Sequence, residues 1–511
     1  MPKLRLVLSM LLVFSMLLAG CAGTPAPVPR PGEEPIDPSL HAIYINQYGE
    51  LTGPGKGDPS PGDRQDPALA HQDAAYVARI IEHFKDARKT QPELGLTIFV
   101  HGGLNRYDTA WRRAETFAAD MLRDRQYVVF VGWNAGGITN YFDHLLRIRA
   151  GENNPRLGIP TSPLIAIGDL TRSIVNIPTA WYRTVADPAS VTTWYTNHVE
   201  IEYERRIAGL KNAGFHVVNN GPHRGVGASY WTILNPVKLL TAPAVDGLGS
   251  GAWDSMLRRT DLVLSKPLAY EGKLPAPAPV PAEAAAATPA PSPPVTAPAP
   301  ACACDEPQSQ KEANELADTA VTRFLKEWSN DDSLRGVKIN LIGHSMGSIV
   351  ANNILARHPA LHVDNVVFMG AAAPIKDIEN GVVPWMRRPS NTESRFYNLS
   401  LDPYREIGEN DAYDFLPRGS LLHWIDNIFG EVNSFKDRSA GGWWNIIRTA
   451  QDVFPEQVRQ RVHLTRFPIG RKAEMGPQEH GQFDNYCFWR EAYWRAETPL
   501  AAHPACATPP P

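Results

Sequence analysis

The sequence predicts an α/β protein with a mostly parallel sheet flanked by helices, and two observations support this fold class. Short, apolar, β-branched runs such as 96–100 and 462–467 are typical of strands buried on both faces, and stretches with helical spacing of apolar residues accompany them. At 337–347 a buried strand passes through a sharp turn directly into a helix at 348–356. This unit of strand, turn and helix organises the rest of the chain.

The other elements follow from the same two periodicities. Helical spacing places Ala75, Ala78, Ile81 and Phe84 on one face of a helix at about 72–89, and it predicts further helices between the strands. Strands are predicted at 42–45, 96–100, 127–133, 337–342, 363–370, 395–401 and 462–467, and helices at about 72–89, 108–125, 194–211, 311–328, 348–356 and 486–494.

Length and charge restrict the class of protein. The 511 residues allow two to four domains, or one large domain with insertions. A formal net charge of -4 argues against a nucleic-acid partner, which normally requires a basic surface. The 46 prolines are concentrated in a few segments, which indicates tethers and linkers between folded parts.

The amino terminus has the features of a targeting segment. Two basic residues precede an apolar run at 6–18, which is too short for an ordinary membrane-spanning helix. The run ends in Leu18-Ala19-Gly20-Cys21, which resembles the lipobox of bacterial lipoproteins and implies that Cys21 is lipidated. Ala22 stands in place of the aspartate that resembles an inner-membrane retention signal, so an outer-membrane address is favoured if the cell has two membranes. A plain signal peptide cut near Ala22 and an uncleaved anchor are the alternatives.

The turn after the strand at 337–342 reads Gly343-His344-Ser345-Met346-Gly347. A serine here projects its hydroxyl from a strained turn, and the backbone N–H of Met346 at the start of the helix faces a developing oxyanion. This G-x-S-x-G resembles the nucleophile elbow of the α/β-hydrolase superfamily, the lipase and esterase branches in particular. The resemblance implies that Ser345 is the nucleophile. The alternative is a simple β-to-α turn.

A second motif follows the strand at 96–100. His101-Gly102-Gly103-Leu104 resembles the H-G-G oxyanion loop of lipases and esterases, in which small residues let backbone N–H groups approach the substrate carbonyl. The resemblance implies that Gly103 or Leu104 supplies the second oxyanion donor, and the sequence leaves the choice open.

The rest of a catalytic triad is expected in the order serine, acid, histidine. Asp402 follows the strand at 395–401 and is the expected acid, with Asp377 as the alternative. His480 lies in a loop before the aromatic stretch 486–494 and is the expected base, whereas His463 lies within a strand and is expected to point away from the substrate. Asp402 would hold the imidazole in its tautomer and stabilise the imidazolium.

The resemblance also implies a domain organisation. A minimal hydrolase has one helix between the strand at 127–133 and the elbow strand, but here about two hundred residues intervene. We therefore expect a large helical cap over Ser345, and a linker of Pro and Ala that orders no core of its own. The expected segments are a signal peptide (1–20), a Pro-rich tether (21–40), a first core part (41–135), a cap insertion (136–273), a Pro/Ala-rich linker (274–306), a second core part (307–497) and a disordered tail (498–511).

The expected function is that of a lipid-anchored serine hydrolase of the bacterial cell envelope that cleaves carboxylic esters and needs no cofactor or metal. A small-molecule or lipid ester is the expected substrate and the membrane the expected partner; the oligomeric state is open. The alternatives are a thioesterase, an amidase or an acyltransferase with the same triad, or a non-catalytic envelope lipoprotein on the same scaffold. In an oxidising compartment a disulfide through Cys487 or Cys506 to Cys302 or Cys304 is favoured, although the sequence does not choose a pairing.

Overall fold

The computed structural model describes most of the chain between Ile36 and Arg495. The described ranges are 36–53, 67–105, 107–149, 152–190, 193–219, 236–266, 318–409, 416–430, 432–467 and 476–495. The expected signal peptide, the lipidation site Cys21, the linker 274–306 and the tail 498–511 lie outside these residues.

A parallel sheet of eight strands forms the centre of the described chain. In spatial order the strands run β1, β3, β2, β7, β8, β9, β10 and β6, and every neighbouring pair is parallel. Two further short strands, β4 and β5, form a separate antiparallel pair. The strands are β1 Ala42–Ile45, β2 Gly95–Val100, β3 Gln126–Trp133, β4 Ile148–Arg149, β5 Glu152–Asn153, β6 His216–Asn219, β7 Ile339–His344, β8 Asn365–Met369, β9 Arg395–Ser400 and β10 Val462–Arg466.

Helices cover both faces of this sheet and also form most of the segment between β3 and β7. The helices are α1 Pro67–Thr90, α2 Tyr107–Arg123, α3 Gly137–Leu146, α4 Pro155–Val175, α5 Ile177–Ser190, α6 Thr193–Asn212, α7 Pro236–Leu262, α8 Ala320–Asn330, α9 Gly347–Arg357, α10 Ile375–Asn380, α11 Val382–Met386, α12 Pro403–Gly408, α13 Leu421–Trp424, α14 Trp443–Val453, α15 Glu456–Arg459 and α16 Glu491–Trp494.

The central strands are buried on both faces because each face packs against helices. Successive side chains of a strand point to opposite faces, so Leu341 joins the larger hydrophobic cluster and Ile342 joins the smaller one. Ile98 and Phe99 of β2 divide between the two clusters in the same way. The predicted fold class, a mostly parallel sheet with helices on either side, is therefore confirmed.

The seven strands predicted from the sequence all form, with boundaries within two residues. The helix predicted at 486–494 is wrong, because the chain there forms a 3₁₀-helix, Tyr486–Trp489, and then the short α16. The indole N–H of Trp494 donates to the carbonyl oxygen of Trp489 at 3.1 Å. In a continuous α-helix that carbonyl oxygen would accept from the backbone N–H four residues later. Here the indole N–H of Trp494 takes the place of that backbone donor.

The segment expected to form a cap, 136–273, is not a separate cap throughout. Its strand β6 pairs with β10, with Val217 opposite Leu464, and forms the edge of the main sheet. The helical periodicity around it hid this four-residue strand. Near the carboxyl end of the segment, Ser265 forms an isolated antiparallel bridge with Asp318. The described range that ends at Lys266 and the one that begins at Asp318 are therefore neighbours in space.

Candidate active site

The turn that carries Ser345 is strained and tightly packed. Ser345 has a φ of 51°, in the left-handed region that non-glycine residues rarely adopt. A Cβ on Gly347 would stand 2.0 Å from the carbonyl oxygen of Val100, so no larger residue fits between β2 and the elbow. The backbone N–H of Ser345 donates to Met369 at 2.9 Å, which ties the turn to the end of β8. These contacts hold the serine at the carboxyl edge of the sheet.

Oγ of Ser345 and Nε2 of His480 are both buried and lack a hydrogen-bond partner within the part of the chain that the structure describes. Ser345 is 2% exposed and His480 6% exposed. A buried polar atom without a partner costs free energy, and a catalytic role is one of the reasons for which a folded protein keeps such an atom.

The imidazole of His480 is held beside the turn that follows β8. A Cβ on Gly370, which has a φ of 51°, would stand 2.8 Å from Cε1 of His480. Nδ1 of His480 lies 3.4 Å from Oε1 of Glu406, and its backbone N–H donates to Oε2 of Glu409 at 2.8 Å. Its carbonyl oxygen lies 3.2 Å from Nε2 of His344. Ring and backbone are thus each fixed by a separate partner.

Carboxylates dominate the electrostatics of this histidine. Burial lowers the pKa of His480, but the negative charges of Glu406, Glu409 and Asp484 raise it by more, so its net pKa lies above the ordinary value. Burial also raises the pKa of Glu409 to about 7. The second oxygen of Glu406 accepts a hydrogen bond from the hydroxyl of Ser420, which fixes that carboxylate from the other side.

Asp402, the expected acid, does not make the expected contact with His480. Its Oδ2 accepts from Nη1 of Arg466 at 2.5 Å, and its Oδ1 accepts from the backbone N–H of Tyr404 at 2.9 Å as the N-cap of α12. The carboxylate that faces the imidazole is Glu406, one helical turn further along α12. The physical reason is Arg466 at the end of β10, which draws Asp402 into a fully buried ion pair.

Asp377, the alternative acid, also lies elsewhere. It is in the first turn of α10, where burial raises its pKa and the nearest charges that act on it are Lys376 and Asp261. The carboxylates that act on His480 are Glu406, Glu409 and Asp484. The structure therefore brings Ser345 and His480 to one edge of the sheet and leaves both expected aspartates away from the imidazole.

The backbone contacts of Gly103 and Leu104 show which of these two residues has an N–H group available for an oxyanion. The N–H of Leu104 donates to the carbonyl of Ala135 at 2.9 Å, so it is already engaged. The N–H groups of Gly103 and Met346 have no partner within the described ranges. A Cβ on Gly103 would stand 2.8 Å from Sδ of Met346, which places the two residues side by side. Of the two alternatives, the geometry favours Gly103 over Leu104.

His101 of the H-G-G loop has a structural role in this geometry. Its Nδ1–H donates to the carbonyl of Gly102 at 2.6 Å, and its Nε2 accepts from the backbone N–H of Trp133 at 3.0 Å. Its ring also stacks on Trp133, with centroids 4.3 Å apart. Burial, with the nearby Arg113, lowers the pKa of His101 to about 3. The ring therefore stays neutral and ties the end of β2 to the end of β3.

A second histidine and carboxylate pair lies beside the elbow and was missed in the sequence. Nδ1 of His344 lies 2.9 Å from Oδ1 of Asp484, and the guanidinium of Arg113 donates to the other oxygen of that carboxylate. Burial raises the pKa of Asp484, but Arg113 and His344 lower it by more, so it remains ionised. The one feature of the sequence that could have indicated this pair is an acidic residue close to the predicted base, Asp484, four residues after His480.

The helix α7 borders the site from the cap side. A Cβ on Gly103 would stand 3.1 Å from Cε of Met256, and Arg259 donates to the carbonyl of Asn134 at 3.1 Å. Met256 and Trp253 of this helix are buried in the larger hydrophobic cluster.

Neither a metal cluster nor a membrane span appears among the described residues. No group of three or more His, Cys, Asp or Glu side chains there could hold a metal ion. No helix there combines the length and apolar character needed to cross a bilayer. Cys487 is disulfide-bonded, and Cys21, Cys302, Cys304 and Cys506 lie outside the described ranges.

Comparison with known families gives one match. Residues 299–468, about a third of the chain, match a family described as alpha/beta hydrolase fold, and this range contains the elbow, β8, β9 and Glu406. No curated protein and no solved structure matches the chain. With its parallel sheet and the nucleophile-elbow sequence at the end of β7, the chain has an α/β-hydrolase fold.

Proposed function

We propose that this protein is a serine hydrolase that cleaves carboxylic esters through Ser345, His480 and Glu406. One observation carries the proposal: a serine at φ 51° and a histidine backed by a glutamate lie at the same edge of the sheet, and Oγ of the serine and Nε2 of the histidine are buried without a hydrogen-bond partner among the described residues. Glu406 takes the place that the sequence had suggested for Asp402.

The mechanism follows from these positions. Nε2 of His480 accepts the proton of the Ser345 hydroxyl while Oγ forms a bond to the carbonyl carbon of the ester. Glu406 stabilises the imidazolium through Nδ1–H. The N–H groups of Met346 and Gly103 donate to the oxyanion, and each such donor contributes roughly 100- to 1,000-fold to the rate.

Collapse of the tetrahedral intermediate completes the first half-reaction. The C–O bond to the alcohol breaks, and the imidazolium of His480 gives its proton to the leaving oxygen. Water then attacks the acyl-enzyme with His480 as base again, which releases the acid and regenerates Ser345.

The decisive experiment is labelling with a fluorophosphonate probe, with Ser345→Ala as the control. We expect wild-type protein to take up one equivalent and the variant none. A folded wild-type protein that takes up no probe would refute the enzyme proposal. Matched p-nitrophenyl ester, thioester and anilide substrates then decide the bond, and faster turnover of the thioester or anilide would replace the ester assignment.

The membrane address is a separate part of the proposal. It is supported by the lipobox-like sequence that ends in Cys21. In a bacterial host we expect the protein to fractionate with outer membranes, and Cys21→Ala to be released when these membranes are washed with 0.5 M NaCl, without loss of ester hydrolysis. Radiolabelled palmitate should enter the wild-type chain and not the variant. Unchanged membrane association of Cys21→Ala would show that lipidation is not the anchor.

A further inference from the structure

The helices α4 and α5 expose an unusual apolar surface. Of the thirteen large apolar side chains that are exposed among the described residues, nine lie on these two helices. Their exposed fractions run from 43% to 73%, and scattered exposed apolar residues of this kind are normal only when they are isolated. We call this set the apolar face; it comprises Leu157, Ile159, Leu164, Ile167, Leu170, Ile174, Val175, Trp181 and Tyr182.

The polarity of α4 is the reverse of that of an ordinary surface helix, which turns its charges to solvent. The carboxylate of Asp169 turns inward, where it accepts a hydrogen bond from the hydroxyl of Tyr141 at 3.0 Å. Nε of Arg172 lies 3.5 Å from Oδ1 of Asp246, on α7. Asp169 and Arg172 of α4 thus contact the protein, whereas most of its leucines and isoleucines contact solvent.

Small residues bring α4 close to its neighbours on the inward side. A Cβ on Gly158 would stand 2.1 Å from the carbonyl oxygen of Leu146, and a Cβ on Gly247 would stand 1.9 Å from Oγ of Ser173. This packing fixes the orientation of the helix, so the apolar face cannot turn inward without breaking these contacts. Its exposure is therefore built into the fold.

The charges around the apolar face fit an anionic lipid surface. The acidic side chain within 155–183, Asp169, is 12% exposed, and Arg156 and Arg183 lie near the two ends of the face. Trp181 and Tyr182 adjoin its far end, and such side chains favour the boundary between headgroups and acyl chains. An apolar surface edged by Trp, Tyr and Arg is the composition of an interfacial helix.

The amino-terminal segment is long enough for a chain anchored at Cys21 to bring the apolar face to the same membrane. Fourteen residues lie between Cys21 and Ile36, the first described residue, and an extended chain over this stretch spans up to about 50 Å. Arg147, at the end of α3, donates to Gln47 at 2.7 Å, so α4 begins beyond the carboxyl end of β1. Because β1 covers only about 13 Å, a chain anchored at Cys21 can reach around the sheet to this side.

We propose that the apolar face lies on a phospholipid bilayer, with its leucine and isoleucine side chains between the headgroups and its arginines beside anionic phosphates. The proposal rests on the proposed function in one respect, since lipidation of Cys21 brings the chain to a membrane. It adds a second contact that fixes the orientation of the folded part, and α7, which packs against α4 and borders Gly103, links this surface to the candidate active site.

The test measures binding without the lipid anchor. Full-length Cys21→Ala protein is sedimented with vesicles of phosphatidylcholine alone or with 30% phosphatidylglycerol, whose negative surface potential attracts basic residues. We expect binding to the anionic vesicles that weakens in 0.5 M NaCl. Leu164→Gln with Ile167→Gln should lower the partition coefficient about tenfold or more. The matched control is Ile201→Gln with Val237→Gln, exposed apolar residues outside the face, which should bind like the parent.

Each other result would overturn the proposal. Absent vesicle binding, or equal binding by the face variant and its control, refutes the membrane contact. A concentration-dependent dimer that only the face variant loses, without vesicle binding, would show that a second copy covers the face. Hydrolysis of a soluble p-nitrophenyl ester is measured in parallel and should be unchanged in both variants, so failure of this proposal and failure of the hydrolase proposal give different results.

Discussion

The carbonyl oxygen of His480 lies 3.2 Å from Nε2 of His344, the residue that precedes the candidate nucleophile. The other ring nitrogen of His344 lies 2.9 Å from Oδ1 of Asp484. Both partners are hydrogen-bond acceptors, and each lies beside a different nitrogen of the ring. His344 therefore connects the elbow to the backbone of the base as a positioning residue.

The first prediction concerns His344→Asn. An asparagine cannot donate to both acceptors at the spacing of the imidazole nitrogens, so the loop that carries His480 should lose its fixed position. We expect kcat/KM to fall about 10- to 100-fold, the cost of a small misplacement of a catalytic group. The measurement is steady-state hydrolysis of a p-nitrophenyl ester by the variant and by the wild-type protein.

Charged and aromatic side chains surround His344. Asp484 and Arg113 face its Nδ1 side, and the rings of His480 and His101 lie near it. His463→Asn is the matched control, because His463 lies on β10, stacks on Tyr397 of β9 and takes no part in the site. A kcat/KM of His344→Asn that equals that of His463→Asn would contradict the assigned role.

The second prediction separates the two carboxylates of α12. Glu406→Gln keeps the shape of the side chain but removes the charge that stabilises the imidazolium and orients the ring. We expect kcat to fall about 1,000- to 10,000-fold, as for loss of the acid in other serine triads. The midpoint of urea unfolding should stay within 1 M of the wild-type value. Fluorophosphonate labelling should slow in parallel.

Asp402→Asn is the matched variant with the opposite outcome. It removes the carboxylate that accepts from the buried Arg466, so we expect the free energy of unfolding to fall by about 3 kcal/mol or more. Its kcat in the folded state should remain within about tenfold of wild type. A reversed pattern, with catalysis lost in Asp402→Asn and retained in Glu406→Gln, would restore the aspartate as the acid.

The third prediction is a pH dependence. The base must be neutral to accept a proton, and the carboxylates around His480 raise its pKa above the ordinary value, so activity should rise with pH to a midpoint above about 6.5. Glu409→Gln removes one negative charge and can still accept from the backbone N–H of His480. The acid limb should therefore move to lower pH.

The pKa of Glu409 is about 7, so its ionisation overlaps that of His480 and the wild-type limb belongs to the pair. Without Glu409, the acid limb of the pH profile should follow the titration of His480 alone, so activity should rise with pH more steeply than in the wild-type protein. Glu479→Gln is the control, because Glu479 is exposed and adjacent in sequence to His480. A limb that moves equally in both variants, or moves to higher pH in Glu409→Gln, would exclude the assigned electrostatics.

The sequence allowed the sheet and the elbow to be predicted because their signals are local. Val337 to Gly347 contains strand, turn and helix within eleven residues, and the residues that meet there are neighbours in the chain. The acid could not be chosen in this way. Whether Asp402 or Glu406 faces His480 depends on Arg466, sixty-four residues after Asp402, which only the folded sheet brings close.

The edge strand β6 and the outward apolar face of α4 were missed for related reasons. Four residues within a helical region give too short a pattern to distinguish a strand, and β6 is defined by its pairing with β10. A helix with apolar residues on one side predicts burial of that side. On α4 the inward positions of Gly158 and Ser173 reverse this rule, and close packing against Leu146 and Gly247 decides the orientation.

The last prediction tests the strain at the nucleophile. A non-glycine residue at φ 51° costs about 1–2 kcal/mol, a cost that glycine avoids. Glycine also gains conformational entropy in the unfolded chain, which offsets about 0.4–1 kcal/mol of this. Ser345→Gly should therefore be more stable than Ser345→Ala by about 0.5–1 kcal/mol in urea unfolding, with both variants inactive. The same pair of substitutions at Ser348, inside α9, should show the opposite order because glycine is unfavourable in a helix. If glycine were the less stable choice at both positions, the left-handed conformation of Ser345 would store no strain.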